Sequence, residues 1–215
     1  MKTSIIYNHW ASNEERSKLM RDSIISVIET CPDAEILVAD NGGSLEDSEF
    51  LLKLTDEGKI ARYVRYRVNM HFDYARNDCL SVATGDYFVI SDNDIIYKKG
   101  WLEECINWLE NNPGKYYATP LQVIGSQARY TTGFLNNWKL NMRAGSNSFV
   151  IRKTDFNIIG NFPRDRLSGS MWTNNAVRAG YLCTCMPEPK AFDFGRRHMK
   201  GRGYNYKLVE IKESL

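Results

Sequence analysis

The sequence predicts an α/β fold: a mostly parallel central sheet with helices on its flanks. Three observations carry that prediction. Short apolar runs of strand composition alternate with stretches of helical periodicity over the first hundred residues. Capping residues, Gly or Pro punctuate those stretches. Polar residues follow the strand ends at Asn8, Asp40 and Asp92, and open α/β sheets take their ligands outside the carboxyl ends of their strands.

Thr3 to Tyr7 is a β-rich run that Asn8-His9-Trp10 breaks. Ser12-Asn13-Glu14-Glu15 then supplies a cap and first-turn carboxylates for a helix to about Thr30, along which Leu19, Ile24, Val27 and Ile28 recur at helical spacing. Pro32-Asp33 ends it, and Ala34 to Ala39 is the next strand, which completes a βαβ unit. Leu45 to Leu54 is a second helix closed by Gly58, and Ala61 to Val68 alternates as a half-exposed strand. A helix over Tyr74 to Ala83 stops at Gly85, and Tyr87 to Ile90 leads into Ser91-Asp92-Asn93-Asp94.

Trp101 to Glu110 is helical, and Asn111-Asn112-Pro113-Gly114 terminates it. Strands follow at Tyr117 to Ile124 and Ser148 to Arg152, with residues 125 to 145 read as loop. Thr173 to Ala179 is a helix with Gly180 as its stop, and Tyr181 to Met186 is a strand. The remainder from Arg196 is basic, Gly-rich and aromatic, and no internal repeat is present.

At 215 residues the chain suits one domain with a substantial core, and 43% hydrophobic with 25% charged residues is an ordinary globular composition. A net charge of +2 gives no pull toward nucleic acid. Arg196, Arg197, Lys200, Arg202 and Lys207 concentrate basic charge locally, which points to binding a small anion. Five scattered cysteines with no C-x-x-C pair fit a reduced, cytoplasmic environment, and Cys183 and Cys185 are read as apolar fillers. No apolar run reaches membrane-spanning length, and no secretion signal is read at Met1-Lys2. The chain carries no signal for an oligomeric state.

The chemistry centres on Asp92 and Asp94, wedged between Val89-Ile90 and Ile95-Ile96. Carboxylates so placed repel one another unless a cation lies between them, and hard oxygen ligands suit Mg²⁺ or Mn²⁺. A solvated Asp-rich turn is the plainer reading of such a tripeptide.

In this setting the chain resembles glycosyltransferases of the GT-A fold, of the family 2 type. Tyr7-Asn8 resembles the end of their first strand, and Val38 to Ser44 their V-x-D-N-G-S nucleotide loop. Ala75-Arg76-Asn77 and Gly85-Asp86-Tyr87 resemble the approach to the D-x-D, and Phe149 to Arg152 with Phe156 to Phe162 the segment before the acceptor site. The resemblance spans roughly residues 3 to 198 and implies one GT-A-like domain over 1–215. Residues 1–98 would be its nucleotide-binding half, 99–195 its acceptor-binding half, and 196–215 a basic tail serving as a lid.

It further implies a nucleoside-diphosphate sugar donor, UDP-linked, a glycan or other hydroxyl acceptor, and Mn²⁺ or Mg²⁺ between the diphosphate and the D-x-D. Tyr7, Asn8, Asp40, Arg76, Asp92 and Asn93 would meet the nucleotide, with Arg76 against the diphosphate. Asp92, Asp94 and His198 would hold the metal, whereas His9 and His71 are read as solvated loop residues.

One position departs from the pattern. Inverting family members carry a carboxylate base before a short helix, and the matching place here is Ser168-Gly169-Ser170. Asp165 or Asp193 could take that role, and a retaining enzyme would not need it. Trp172 and Trp138 are candidates for an acceptor surface, since rings stack on sugar faces, or else for core packing. A nucleotidyltransferase would want a Gly-rich basic loop after the first strand, and Asn8 to Ser12 has no glycine. A sugar-nucleotide or glycan binding module that has lost catalysis is the remaining alternative.

Overall fold

Four parallel strands order the N-terminal half of the computed structural model, which describes residues 1–121, 130–142, 147–163 and 168–194. They are β1 (Thr3–His9), β2 (Glu35–Asp40), β3 (Arg62–Arg65) and β4 (Tyr87–Asp92), linked by α1 (Glu14–Thr30), α2 (Leu45–Asp56) and α3 (Phe72–Val82). β5 (Ile95–Tyr97), α4 (Trp101–Asn111) and β6 (Tyr116–Thr119) follow. The hairpin β7 (Thr131–Leu135) and β8 (Trp138–Asn141) precedes β9 (Ser148–Arg152), α5 (Lys153–Ile159), α6 (Ser168–Arg178), β10 (Leu182–Cys185) and β11 (Ala191–Asp193). The main sheet has the order β3-β2-β1-β4-β9-β6-β10-β8-β7, and β11 pairs with β5 in a separate two-stranded ribbon.

Local chemistry accounts for the helix starts. The Asn13 side chain accepts from the Arg16 amide at the head of α1, ahead of Glu14 and Glu15, and Ser44 caps α2 by accepting from the Asp47 amide at 3.1 Å. Pleating then sends alternate residues of each strand to opposite faces. Ile5, Tyr7, Val38, Val89 and Val150 pack with α1, α2 and α4, whereas Ile6, Leu37, Phe88, Ile90, Phe149 and Ile151 pack with α3, α5 and α6. Both faces are therefore covered, which is why these strands read as unbroken apolar runs.

The second half departs from the sequence reading in three places. Residues 131 to 141 form the β7–β8 hairpin, turned by Asn136 and Asn137 at φ +48° and +66°, the paired positive values of the tight turn that favours asparagine. β6 ends at Thr119, and residues 122–124 of the expected strand lie outside the described residues. α6 starts at Ser168, five residues earlier than expected. The five cysteines are all buried and unpaired, as befits apolar fillers.

Trp172 is the hub of the second core. Its ring stacks on Phe149 at 4.7 Å between centroids and on Phe162 at 5.5 Å, its edge meets Tyr117, and its indole N–H donates to the Gly160 carbonyl at 3.0 Å. Trp172→Ala should lower stability by about 3–5 kcal/mol in denaturant melts; a loss under 1 kcal/mol would show that the ring is not packed as described.

Candidate functional site

The parallel pairing of β1 with β4 sets Asn8 beside Asp92, and its pairing with β2 sets His9 beside Asp40. These ends make one rim of the sheet. Antiparallel pairing of β11 with β5 puts Asp193 opposite Ile95, and the Phe194 amide donates to the Asp94 carbonyl at 2.8 Å. Asp193 thus joins Asp92 and Asp94 from the far side, held there by Asn147 Nδ2 at 2.8 Å.

Arg76 is the cation of this cluster. It is 1% exposed, its guanidinium lies 4.9 Å from the Phe72 ring centroid and 5.2 Å from that of Phe162, and Nη2 donates to Asp92 Oδ1 in a short ion pair. Among the described residues its Nε and Nη1 have no hydrogen-bond partner, and neither does Asn8 Oδ1. Buried polar atoms are rarely orphaned, because each costs about 1–3 kcal/mol of desolvation. A cation with two spare N–H groups beside an amide oxygen forms a cavity wall suited to a polar, anionic ligand.

The carboxylates respond to this crowding. Burial pushes the Asp94 carboxyl up to about 7, helped by the charges of Asp92 and Asp193. Asp92 is also raised, by burial first, while Arg76 pulls the other way. Among the described residues no cation stands within ion-pair distance of Asp94. An oxygen-only donor set, half-buried and crowded with like charge, fits a hard divalent cation. Among the described residues no three His, Cys, Asp or Glu side chains are grouped to cage one alone. That is the arrangement in which one or two carboxylates share a cation with substrate phosphates.

Several sequence expectations are corrected. Tyr7 is fully buried, and its hydroxyl donates to the Met20 carbonyl at 3.1 Å beneath α1, so it is spent inside the core. Asp40 is fully buried and spent internally: Oδ1 accepts from the Gly43 amide at 2.8 Å, and Oδ2 from the hydroxyls of Ser48 at 2.6 Å and Tyr63 at 2.7 Å, with Arg65 Nε at 3.5 Å. It builds the turn after β2 and does not reach out of it. Trp172 and Trp138 are also core residues, the latter stacked on Trp108 at 5.3 Å, so neither ring offers an acceptor surface. Asn93 uses Nδ2 to bridge His9 Nδ1 at 3.1 Å and the Trp10 carbonyl at 2.9 Å, which ties the D-x-D turn to β1. Asp165, His198 and the basic tail lie outside the described residues.

The histidines are where sequence reasoning missed most. His9 is fully buried, with Nε2 3.5 Å from Asp47 Oδ2, and a Cβ at Gly43 would come within 2.3 Å of that nitrogen. Only glycine fits there. His71 sits before α3 at φ +73° and ψ 142° and makes no side-chain cap, a conformation costing a residue with a side chain about 1–3 kcal/mol. Its Nδ1 lies 2.7 Å from Oδ2 of the fully buried Asp73, and its ring stacks on Phe72 at 4.3 Å. The H-x-D spacing was the one available signal, and it is a weak one.

A family model and solved structures both find proteins similar to this chain. The family model described as glycosyl transferase family 2 matches residues 10–167. Among solved structures, S. aureus TarS residues 1–349 in complex with UDP-GlcNAc superposes with a TM-score of 0.63 at 16% identity, covering 87% of this chain and 56% of that one. The mannosyltransferase PcManGT from Pyrobaculum calidifontis, in complex with GDP-Man and Mn²⁺, gives 0.70 at 16% identity over 92% and 58%. GalNAc-T7 with UDP, GalNAc and Mn²⁺ gives 0.68 at 11% identity over 89% and 43%. The chain thus spans between 43% and 58% of the length of these three, and no curated protein matches it. Among the described residues no helix is long and apolar enough to cross a membrane.

Two variants test the electrostatic account. The folded Asp94 carboxyl keeps its proton up to about pH 7, whereas an unfolded one releases it near about 3.9, so stability is lost as pH rises between those values. Asp94→Asn should therefore stabilise the metal-free protein by about 4 kcal/mol at pH 8, by about 1–2 kcal/mol at pH 5 and by almost nothing below about pH 3; a pH-independent effect would contradict the burial argument. Asp40→Asn should destabilise the fold by about 2–4 kcal/mol through its orphaned partners, and a variant melting like the wild type would return Asp40 to the ligand side.

Proposed function

The chain belongs to glycosyl transferase family 2, and from that premise we propose that it transfers a sugar from a UDP-linked donor to a hydroxyl acceptor with the help of Mn²⁺ or Mg²⁺. The observation that carries this reading is the convergence of Asp92, Asp94 and Asp193 beside a buried, half-satisfied Arg76 at the carboxyl ends of parallel strands.

Asp92 and Asp94 would hold the cation, with His198 as a further ligand. When bound, it supplies Lewis-acid neutralisation of the departing diphosphate. Arg76 adds its free N–H groups to the same charge, preorganised by the rings of Phe72 and Phe162. Asn8 Oδ1, unpartnered at the end of β1, accepts a hydrogen from the nucleotide. Asp193, or Asp165, accepts the acceptor hydroxyl's proton if the reaction inverts. Asp193 already holds one hydrogen bond from Asn147, which orients its carboxyl toward the pair. Residues 1–98 form the nucleotide-binding half in this scheme, residues 99–195 the acceptor half, and the tail from residue 196 a basic lid.

Thermal-shift titration tests the reading. A ligand that binds only the folded state at a hundred times its Kd adds about 2.7 kcal/mol, or roughly 5–10 °C for a chain of this size. UDP with Mn²⁺ should produce that rise, UDP alone a smaller one, and Asp94→Asn should abolish the metal-dependent part while leaving the metal-free melt cooperative. Equal shifts with and without Mn²⁺ would remove the cation from the scheme. Binding of UDP-sugars without hydrolysis or transfer to any hydroxyl acceptor would favour the binding-module reading instead.

A further inference from the structure

His71 is left unexplained by that scheme, and its loop is tied to the end of β2, whose carboxyl end forms part of the rim that carries the site. The loop from Asn69 to His71 is clamped to the end of β2: Asn41 Nδ2 donates to Asn69 Oδ1 at 3.0 Å, Asn41 Oδ1 accepts from the Met70 amide at 2.7 Å, and Asn69 Oδ1 accepts from the His71 amide at 2.8 Å. Three amide contacts thus hold a non-glycine residue at φ +73°. Strained backbone of this kind persists where the surroundings over-determine it, and it concentrates at functional sites.

The side chain is as constrained as the backbone. Nδ1 faces the Asp73 carboxylate at 2.7 Å, and the Phe72 ring contacts both the imidazole and the Arg76 guanidinium that reaches Asp92. The carboxylate places the ring proton on Nδ1, which leaves Nε2 as an acceptor lone pair. The side chain is 31% exposed, and among the described residues Nε2 has no partner. A ring lone pair can accept from a hydroxyl, whereas an ionised phosphate oxygen has no hydrogen to give it. Asp40, the residue expected to meet the nucleoside, is consumed by its own turn.

We propose that His71 is a specificity-determining residue for the donor, its Nε2 accepting a hydrogen bond from a ribose hydroxyl of the nucleoside diphosphate. The assignment rests on the donor reading above. Asp73 and the Asn41–Asn69 clamp are positioning residues that aim it.

The test is calorimetric titration of wild type, His71→Asn and His71→Gln with UDP, 2′-deoxy-UDP and 3′-deoxy-UDP in Mn²⁺, or with GDP and its deoxy analogues if GDP is the nucleotide bound. Asparagine can keep the contact to Asp73 but has no group at the Nε2 position, whereas the glutamine amide reaches it. Wild type should lose about 3- to 10-fold in affinity on removal of one of the two hydroxyls. His71→Asn should lose as much for UDP and nothing further for the deoxy analogue, and His71→Gln should recover part of the discrimination. If His71→Asn discriminates between UDP and its analogues as the wild type does, or weakens all of them equally, the proposal is overturned while the donor reading stands. A wild type that binds neither UDP nor GDP overturns both. Should His71→Asn fail to fold, the wild-type His71 ring resonances decide: UDP should shift them and the relevant deoxy analogue should not, and resonances unmoved by saturating UDP reject the assignment.

Discussion

A guanidinium almost wholly removed from water lets three carboxylates share one end of a sheet. Arg76 neutralises Asp92 from beneath, walled by Phe72 and Phe162, and without it Asp92, Asp94 and Asp193 would be an uncompensated buried negative charge. Removing one partner of a buried pair costs about 3–5 kcal/mol, a large share of the stability of any single domain. The position of α3, which carries Arg76, is therefore set as much by the acid cluster as by the apolar contacts of Ala75, Cys79 and Leu80.

The pair is incomplete by design of the surroundings. One carboxylate cannot satisfy five N–H donors, and the described residues offer no second acceptor to Nε or Nη1. Asp94, conversely, has no cation within ion-pair distance among the described residues, and only the more distant charge of Arg16 opposes it. Positive donors and negative acceptors are held apart, each wanting what a metal-bound diphosphate supplies. Natural sequences satisfy nearly every buried polar group, and the exceptions fall at working sites.

Much of this was legible in the residues. Apolar runs bounded by Gly, Pro and capping residues located β1 to β4 and α1 to α4 to within a few positions, because those elements bury whole faces and their periodicity is strong. Asp92, Asp94 and Arg76 stood out as charge at the ends of buried segments. The hairpin at Asn136-Asn137 was hidden by its Gly- and Asn-rich surroundings, although paired asparagines are a tight-turn signal. Asp40 and Tyr7 were misjudged for a subtler reason. A strand-end carboxylate looks the same in sequence whether it faces a ligand or its own loop, and only the approach of Ser48 and Tyr63 decides. His9 and His71 depend on contacts with Asp47 and Asp73 that spacing does not reveal.

The ribbon of β5 with β11 has a bearing on how the protein comes to be folded. Ile95 and Asp193 are opposite one another yet nearly a hundred residues apart in the chain, and such long-range pairings are slow to form and late in synthesis. The first four strands can pair and bury their apolar faces before Asp193 arrives. The third like charge then joins the other two only after enough of the core exists to bear the repulsion.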